Sequence, residues 1–217
     1  MDTAHLADLR REYQSAGLAE ADVDPDPIVQ FGVWFEAWRP VAVGDPNAMV
    51  LATATLDGRP SARTVLLKGV VEDGFVFFTN YESRKGCELA ANPRATLVFP
   101  WHALGRQVIV EGEARRLPAE DSDAYWATRP KGSRLGAAAS PQSAVVADRA
   151  ELDGRYAALA AAHPGGDIPR PEHWGGLVVR PDRVELWQGQ QNRLHDRVAY
   201  RRDPSGPSGW RIERLAP

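Results

Sequence analysis

"AMVLATATLDGRPSARTVLLKGVVEDGFVFFTN", residues 48 to 80, decides the fold class. Its three runs, "AMVLATATL", "SARTVLLKGVV" and "GFVFFTN", read as β-rich, and the turn signals "LDGRP" and "VEDG" separate them. Beyond this stretch "RATLVFPW" and "RQVIVEGEARRL" continue the pattern on either side of the turn "HALG". Five strands within about seventy residues, joined mostly by tight turns, point to an antiparallel barrel or sandwich rather than to βαβ units. One short helix, "ESRKGCELAANP", interrupts them.

The flanks are helical on both sides before strands return. "DTAHLADLRREYQSAG" reads as a short amphipathic helix capped by Asp2 or Thr3 and closed at Gly17. In the next helix Asp26 is the cap, Pro27 takes the first helical position, and Phe31, Trp34, Phe35 and Trp38 form an i, i+3, i+4, i+7 stripe that reads as core. On the far side "PAEDSDAYWATRP" and "VVADRAELDGRYAALAAAHP" read as helices around a Gly/Ala/Ser-rich piece, "KGSRLGAAASPQS". Strands resume with "WGGLVVRP", "RVELWQG", "RLHDRVAY" and "WRIERL", and "DPSGPSG" at 203 to 209 is short enough for a hairpin loop. With no internal repeat and no dividing linker, the expectation is one α+β, mainly β domain over residues 1–217.

Composition narrows the function. A net charge of −3 over 217 residues argues against coating nucleic acid or an anionic membrane, so any basic patch is local and suits a small anion. The single cysteine, Cys87, leaves neither an intrachain disulfide nor a zinc ligand set. The charged start does not read as a secretory signal, and no apolar run is long enough for a membrane span, which makes the cytoplasm the expected compartment.

Cations then cluster in four places. In "QNRLHDR", residues 191 to 197, a strand would put Arg193, His195 and Arg197 on one face and Leu194 and Asp196 on the other. Cations about 7 Å apart along a strand repel by about 2 kcal/mol per pair at an effective dielectric near 20, so either an anion lies opposite or the face is solvated. In "RTVLLK", Arg63 and Lys68 bracket an apolar run, and a bulge or strand end would be needed to turn both toward one ligand. Ser83 can cap a helix whose first turn holds Arg84 and Lys85, where free N–H groups and the helix dipole favour a phosphate. Tyr125 and Arg129, four apart, with Ser133 beyond Pro130, can donate to a second phosphate, although such a pair is also common on surfaces. Gln107, Gln142 and Ser143 offer neutral groups for a heterocycle edge, and Trp187 is a lid for a flat ring or a core residue. The sequence carries no convincing catalytic triad, Walker loop, dinucleotide fingerprint or metal cluster. Phosphate cradles on a β-barrel suit a flat phosphorylated cofactor and a small phosphorylated substrate.

These stretches, in order, carry a resemblance: "LRREY", "RTVLLK", "SRK", "FPWH", "RQV", "QS", "LWQG", "RLHDR" and the terminal "RLAP" are similar to the pyridoxamine 5'-phosphate oxidase family. The resemblance implies an antiparallel FMN-binding split β-barrel with peripheral helices, assembled as a homodimer with FMN at the interface. It implies FMN contacts from Arg63, Thr64, Val65, Leu66, Leu67 and Lys68, from Phe78, Thr79, Arg84 and Lys85, and from Gln107, Gln142, Ser143, Trp187 and Arg197. Substrate would meet Lys68, Tyr125, Arg129, Ser133, Arg193, Leu194 and His195, with Arg193 and His195 acting in catalysis. Arg10, Arg11, Glu12 and Tyr13 would belong to a helical flap over residues 1–17 that covers it. The implied reaction oxidises pyridoxamine or pyridoxine 5'-phosphate to pyridoxal 5'-phosphate with dioxygen as acceptor. A split-barrel reductase using a flavin or deazaflavin on another substrate, and a carrier without catalysis, stand as the other readings; a peroxide assay separates them. Phe78 stands where the family often has tyrosine, which removes one hydroxyl.

Overall fold

The computed structural model describes residues 13, 15–71, 74–206 and 208–217. Its elements are α1 (Pro27–Trp38), β1 (Ala48–Ala54), β2 (Pro60–Leu66), β3 (Gly69–Val71), β4 (Gly74–Asn80), α2 (Arg84–Ala91), β5 (Arg94–Trp101) and β6 (Arg106–Arg116). There follow α3 (Ala119–Thr128), α4 (Lys131–Ala139), α5 (Arg149–Ala162), β7 (Trp174–Gln188), β8 (Asp196–Arg202) and β9 (Trp210–Leu215). The strand order is β2-β1-β5-β6-β7-β4-β3, with β8 on β7 and β9 on β8, and the β1–β2, β3–β4, β4–β7, β7–β8 and β8–β9 ladders are antiparallel. The chain is mainly β, and its contacts group into two compact units, residues 47–96 with 112–180 and residues up to 46 with 97–111 and 181–217.

In the first of these units β1 buries Met49, Leu51 and Thr53 and leaves the alternate positions half-exposed, the signature of a strand with one covered face. The run "SARTVLLKGVV" reads as one strand in sequence, but the structure breaks it after Leu66. Leu67 N–H donates to Asn47 O at 2.8 Å and Lys68 N–H donates to Val76 O at 2.7 Å, so the chain changes partner from β1 to β4 at this point. One hydrophobic cluster of the unit is Trp126, Leu135, Ile168 and Trp174, with Trp126 Nε1 donating to Ile168 O at 2.8 Å. The Gly/Ala/Ser-rich piece is helical as α4, and α3 ends at Thr128. Arg129 is extended (φ −73°, ψ 141°) because it precedes Pro130, so Tyr125 and Arg129 do not share a helical face as the sequence implied.

In the other unit Asp26 caps α1, its Oδ1 accepting from Ile28 N–H at 2.8 Å, with Pro27 at the first helical position. Phe31 and Trp34 are buried, and the stripe packs on Trp101, whose ring centroid lies 5.6 Å from Phe31 and 6.3 Å from Trp38. "WGGLVVRP" and "RVELWQG" are one strand rather than two. Pro181, which has no N–H, falls between the β4 ladder at 174–179 and the β8 ladder at 183–188, where neither needs a donor. "QNRLHDR" is not a strand throughout: residues 191–193 form a 3₁₀ turn with Asn192 and Arg193 at φ 54° and 60°, and β8 begins only at Asp196. The single basic face expected of Arg193, His195 and Arg197 therefore does not exist. Tyr13 and residues 15–17 carry no helix, and the remainder of the expected flap lies outside the described residues.

Candidate functional site

A cavity of about 500 Å³ in the unit of residues 47–96 and 112–180 collects groups from five parts of the chain. The end of β2 and the partner switch after it supply Thr64, Val65, Leu66 and Lys68, while β4 supplies Phe78 and Thr79. Lys85 comes from the first turn of α2, and Tyr125 at the end of α3, Arg129 at the break and Ser133 at the start of α4 come together as one stretch. Gln142 closes the set from the turn after α4. The volume is that of a small-molecule site.

At one part of the wall Ser83 caps α2, its Oγ accepting from Gly86 N–H at 3.4 Å and donating to Asn80 O at 2.7 Å. Lys85 Nζ donates to Gln142 Oε1 at 2.9 Å, Ser83 Oγ at 3.1 Å and Thr79 Oγ1 at 3.2 Å, all neutral partners. Burial, and then the charge of Arg63, push the Lys85 ammonium below the usual lysine range. A second cation meets the cavity at Arg129, whose guanidinium lies 4.6 Å over the Trp174 ring and whose Nη2 donates to Ser133 O at 3.0 Å. Burial lowers its pKa too, against the opposing influence of Tyr125, and its Nε is buried without a partner. Between them Phe78 stacks on Tyr125 with centroids 3.8 Å apart and planes 14° apart, and on Trp174 at 5.5 Å. The ring thus does its work by stacking, which does not require the missing hydroxyl. Two desolvated cations without carboxylate partners, flanking an aromatic ladder, are the chemistry of a site for planar, phosphorylated molecules.

Four residues of this unit that the resemblance implied as FMN contacts are absent from the cavity wall. Arg63 turns to Leu51 O at 3.0 Å, Thr53 Oγ1 at 2.7 Å, Ser61 Oγ and the Glu88 carboxylate at 3.3 Å. Arg84 Nε donates to Glu88 Oε1 at 2.8 Å. Glu88 is buried; burial alone would raise its pKa, but hydrogen bonds from Ser61, Thr53 and Arg84 and the Arg84 charge bring it down to about 2. Leu67 is buried, and Ser143 sits exposed in a left-handed turn at φ 74°.

The other unit carries the remaining expected residues. Trp187 and His195 have ring centroids 4.7 Å apart, and Tyr13 stands edge-on to both, at 5.6 Å and 5.9 Å. His195 Nδ1 accepts from Gln190 N–H at 3.0 Å. Arg193 and Leu194 are exposed, and Gln107 is half-buried on β6. Arg197 donates from Nε to buried Glu185 at 2.8 Å and from Nη1 to Ala216 O at 2.9 Å; the Glu185 hydrogen bond raises its pKa. Arg10, Arg11 and Glu12 lie outside the described residues. Sequence reading missed Glu185, Gln190 and Trp174. Trp174 carried a signal in the "WGG" that begins a strand: a Cβ on Gly176 would lie 2.5 Å from Leu117 Cδ1 and 2.9 Å from Phe78 Cε1, so the glycine marks close packing behind the ladder.

Fold and site together define a mainly β protein on an antiparallel sheet, with a small-molecule cavity lined by partly buried cations and stacked rings. Comparison with known proteins gives the class its family. The family model described as "Pyridoxamine 5'-phosphate oxidase" matches residues 36–162, and that of the "Pyridoxine 5'-phosphate oxidase C-terminal dimerisation region" matches residues 174–217. A pyridoxine/pyridoxamine 5'-phosphate oxidase of Rubrobacter xylanophilus is 60% identical over 212 residues, covering 98% of this chain and 96% of the relative. One of Burkholderia multivorans is 56% identical over 212 residues, covering 98% and 99%. Among solved structures, PhzG from Burkholderia lata in complex with tetrahydrophenazine-1-carboxylic acid is similar with a TM-score of 0.85 and 31% identity, over 94% of this chain and 100% of that one. A pyridoxamine 5'-phosphate oxidase-related FMN-binding protein from Nostoc punctiforme shares the split-barrel fold with a TM-score of 0.68 at 19% identity, over 90% of this chain and 99% of that one. The chain belongs to the pyridoxamine 5'-phosphate oxidase family of oxidoreductases. No described helix is long and apolar enough to cross a membrane, and the described residues hold no metal-binding cluster.

Proposed function

We propose that the protein oxidises pyridoxamine 5'-phosphate and pyridoxine 5'-phosphate to pyridoxal 5'-phosphate as an FMN-dependent homodimer. The observation that carries this reading is the joint presence, on one cavity, of Lys85 with Thr79 and Gln142 and of Arg129 with Tyr125, Ser133 and Lys68. These residues fit FMN and a phosphorylated substrate, because the desolvated Lys85 and the partnerless Arg129 Nε each gain from an anion. The match to a C-terminal dimerisation region and the names of the relatives support the dimer and the substrate.

Bound FMN supplies a two-electron acceptor for the substrate carbon and, through dioxygen, the route to hydrogen peroxide. The protein's own part is placement. Lys85, Thr79 and Gln142 hold the cofactor's phosphate side, and the end of β2 lines its approach. Arg129, Ser133, Tyr125 and Lys68 take the substrate phosphate, and the Phe78–Tyr125–Trp174 ladder stiffens that wall. Arg193 and His195 are assigned to the substrate ring and Trp187 to the flavin, as the family resemblance implies. For the amine the balance is substrate, dioxygen and water to aldehyde, ammonia and hydrogen peroxide. Anaerobic addition of pyridoxamine 5'-phosphate to the purified yellow protein should bleach the flavin band, and admission of air should restore it with one equivalent of peroxide. A spectrum that does not change, or a colourless protein that takes up no FMN, sinks the reading.

A further inference from the structure

The loop between β7 and β8 holds His195 in a way that nothing in the family comparison assigns. Its backbone is not relaxed: Asn192 and Arg193 stand consecutively at φ 54° and 60°, a region that residues with side chains rarely occupy. Something outside the two residues must hold them there. Gln190 touches both arms of the loop. Its backbone N–H donates to His195 Nδ1 at 3.0 Å, and its side-chain Nε2 donates to Asp196 Oδ2 at 2.7 Å. Asp196 is itself fixed from two further directions, by Leu18 N–H at 3.1 Å and by Arg214 Nη1 at 2.7 Å. The start of the loop is pinned by Gly189 N–H donating to Gly105 O at 2.8 Å, and a Cβ on Gly189 would lie 2.4 Å from Tyr13 Cγ, so only glycine leaves room for that ring.

We infer that Gln190 and Asp196 are positioning residues that staple this loop and fix His195 in the tautomer with its proton on Nε2. This rests on the proposed role of His195. An imidazole nitrogen that accepts from a backbone N–H carries no proton, so the neutral ring must carry its hydrogen on Nε2. Trp187 and Tyr13 pack against the ring at 4.7 Å and 5.9 Å between centroids, and among the described residues Nε2 has no hydrogen-bond partner, so it is the nitrogen that can donate to a ligand. Gln190 is thus tied to the ring through its backbone and to the strand through its amide, and Asp196 transmits the anchorage of β9 and residue 18 to both.

The test uses the FMN-loaded protein with ¹⁵N-labelled histidine, the His195 signals being those lost in His195→Gln. Long-range proton–nitrogen correlation should show Nε2–H and an unprotonated Nδ1 in the wild type. Gln190→Ala, which removes the side-chain hydrogen bonds to Asp196 and Ser15, should mix the tautomers and lower kcat for pyridoxamine 5'-phosphate by about tenfold, with KM and FMN content changed less than about twofold. Gln190→Glu, which sets a carboxylate against Asp196, should lose more; adding Asp196→Asn, whose amide donates to that carboxylate, should recover most of the loss. A proton on Nδ1 in the wild type overturns the inference without any variant. So does a double variant no better than Gln190→Glu alone, since Asp196 would then matter only to the fold. If the wild type shows the stated tautomer but oxidises no pyridoxamine 5'-phosphate, the functional proposal falls and the staple stands.

Discussion

Glu185, 3% exposed, accepts from Arg183 at 2.5 Å and from Arg197 at 2.8 Å, whereas Lys85 and Arg129 line their cavity with only neutral partners. Both places bury positive charge, yet in opposite chemical states. In the β7–β8 pair the chain brings its own carboxylate, and the arginines become part of the framework. In the cavity the chain supplies none to Lys85 or Arg129, and burial lowers the pKa of both; under the proposed function a bound phosphate would take the place of the missing carboxylate. The contrast separates arginines that have a carboxylate of the chain as partner from one that has only neutral partners, without reference to where they fall in the sequence. It also explains the position of Arg63 and Arg84, which share buried Glu88 and so resemble the first place more than the second.

The contrast can be broken by experiment, and the largest effect belongs to the internally neutralised region. Glu185→Gln leaves Arg183 and Arg197 without their shared counter-charge, and urea denaturation of the FMN-free protein should show a loss of about 3 kcal/mol. A change under about 0.5 kcal/mol would show that the pairing is not structural. Lys85→Ala should act the other way round: apoprotein stability stays within about 0.5 kcal/mol, while FMN affinity by flavin fluorescence titration falls about 10- to 150-fold, the range of one charge-assisted contact. Equal loss of stability and affinity would erase the distinction.

Acid titration sharpens it further. Glu88 has a folded pKa of about 2 against an ordinary 4.5, so its stabilisation is fully present above 4.5 and is lost as pH falls through about 2. Stability of the apoprotein should therefore decline between those values, and Glu88→Gln should flatten that part of the profile. The smallest effect is expected from Arg84→Ala. Its side chain is 59% exposed, and the ion pair to Glu88 should contribute less than about 1 kcal/mol by denaturation.

How much of this was legible in the sequence follows from the range of the interactions involved. Strand alternation, the Asp26 and Ser83 caps and the aromatic stripe of α1 are set within a few residues, and the structure has them where the sequence puts them. The break after Leu66 was not legible, because it arises from a change of partner between β1 and β4. The extended Arg129 could have been read from the following proline. The charge on "RLHDR" misled for a long-range reason: Arg197 finds its counter-charge at Glu185 on the neighbouring strand, and Asp196 finds Arg214 on β9. Which cations keep only neutral partners became visible only once the carboxylates had been placed.

A crystal structure with FMN and pyridoxal 5'-phosphate bound tests the central claim most directly. One phosphate should lie within about 3 Å of Lys85 Nζ and another against Arg129 and Ser133, with Arg197 still on Glu185. Phosphates lying instead on Arg197, with Glu185 displaced and Lys85 and Arg129 unengaged, would contradict it.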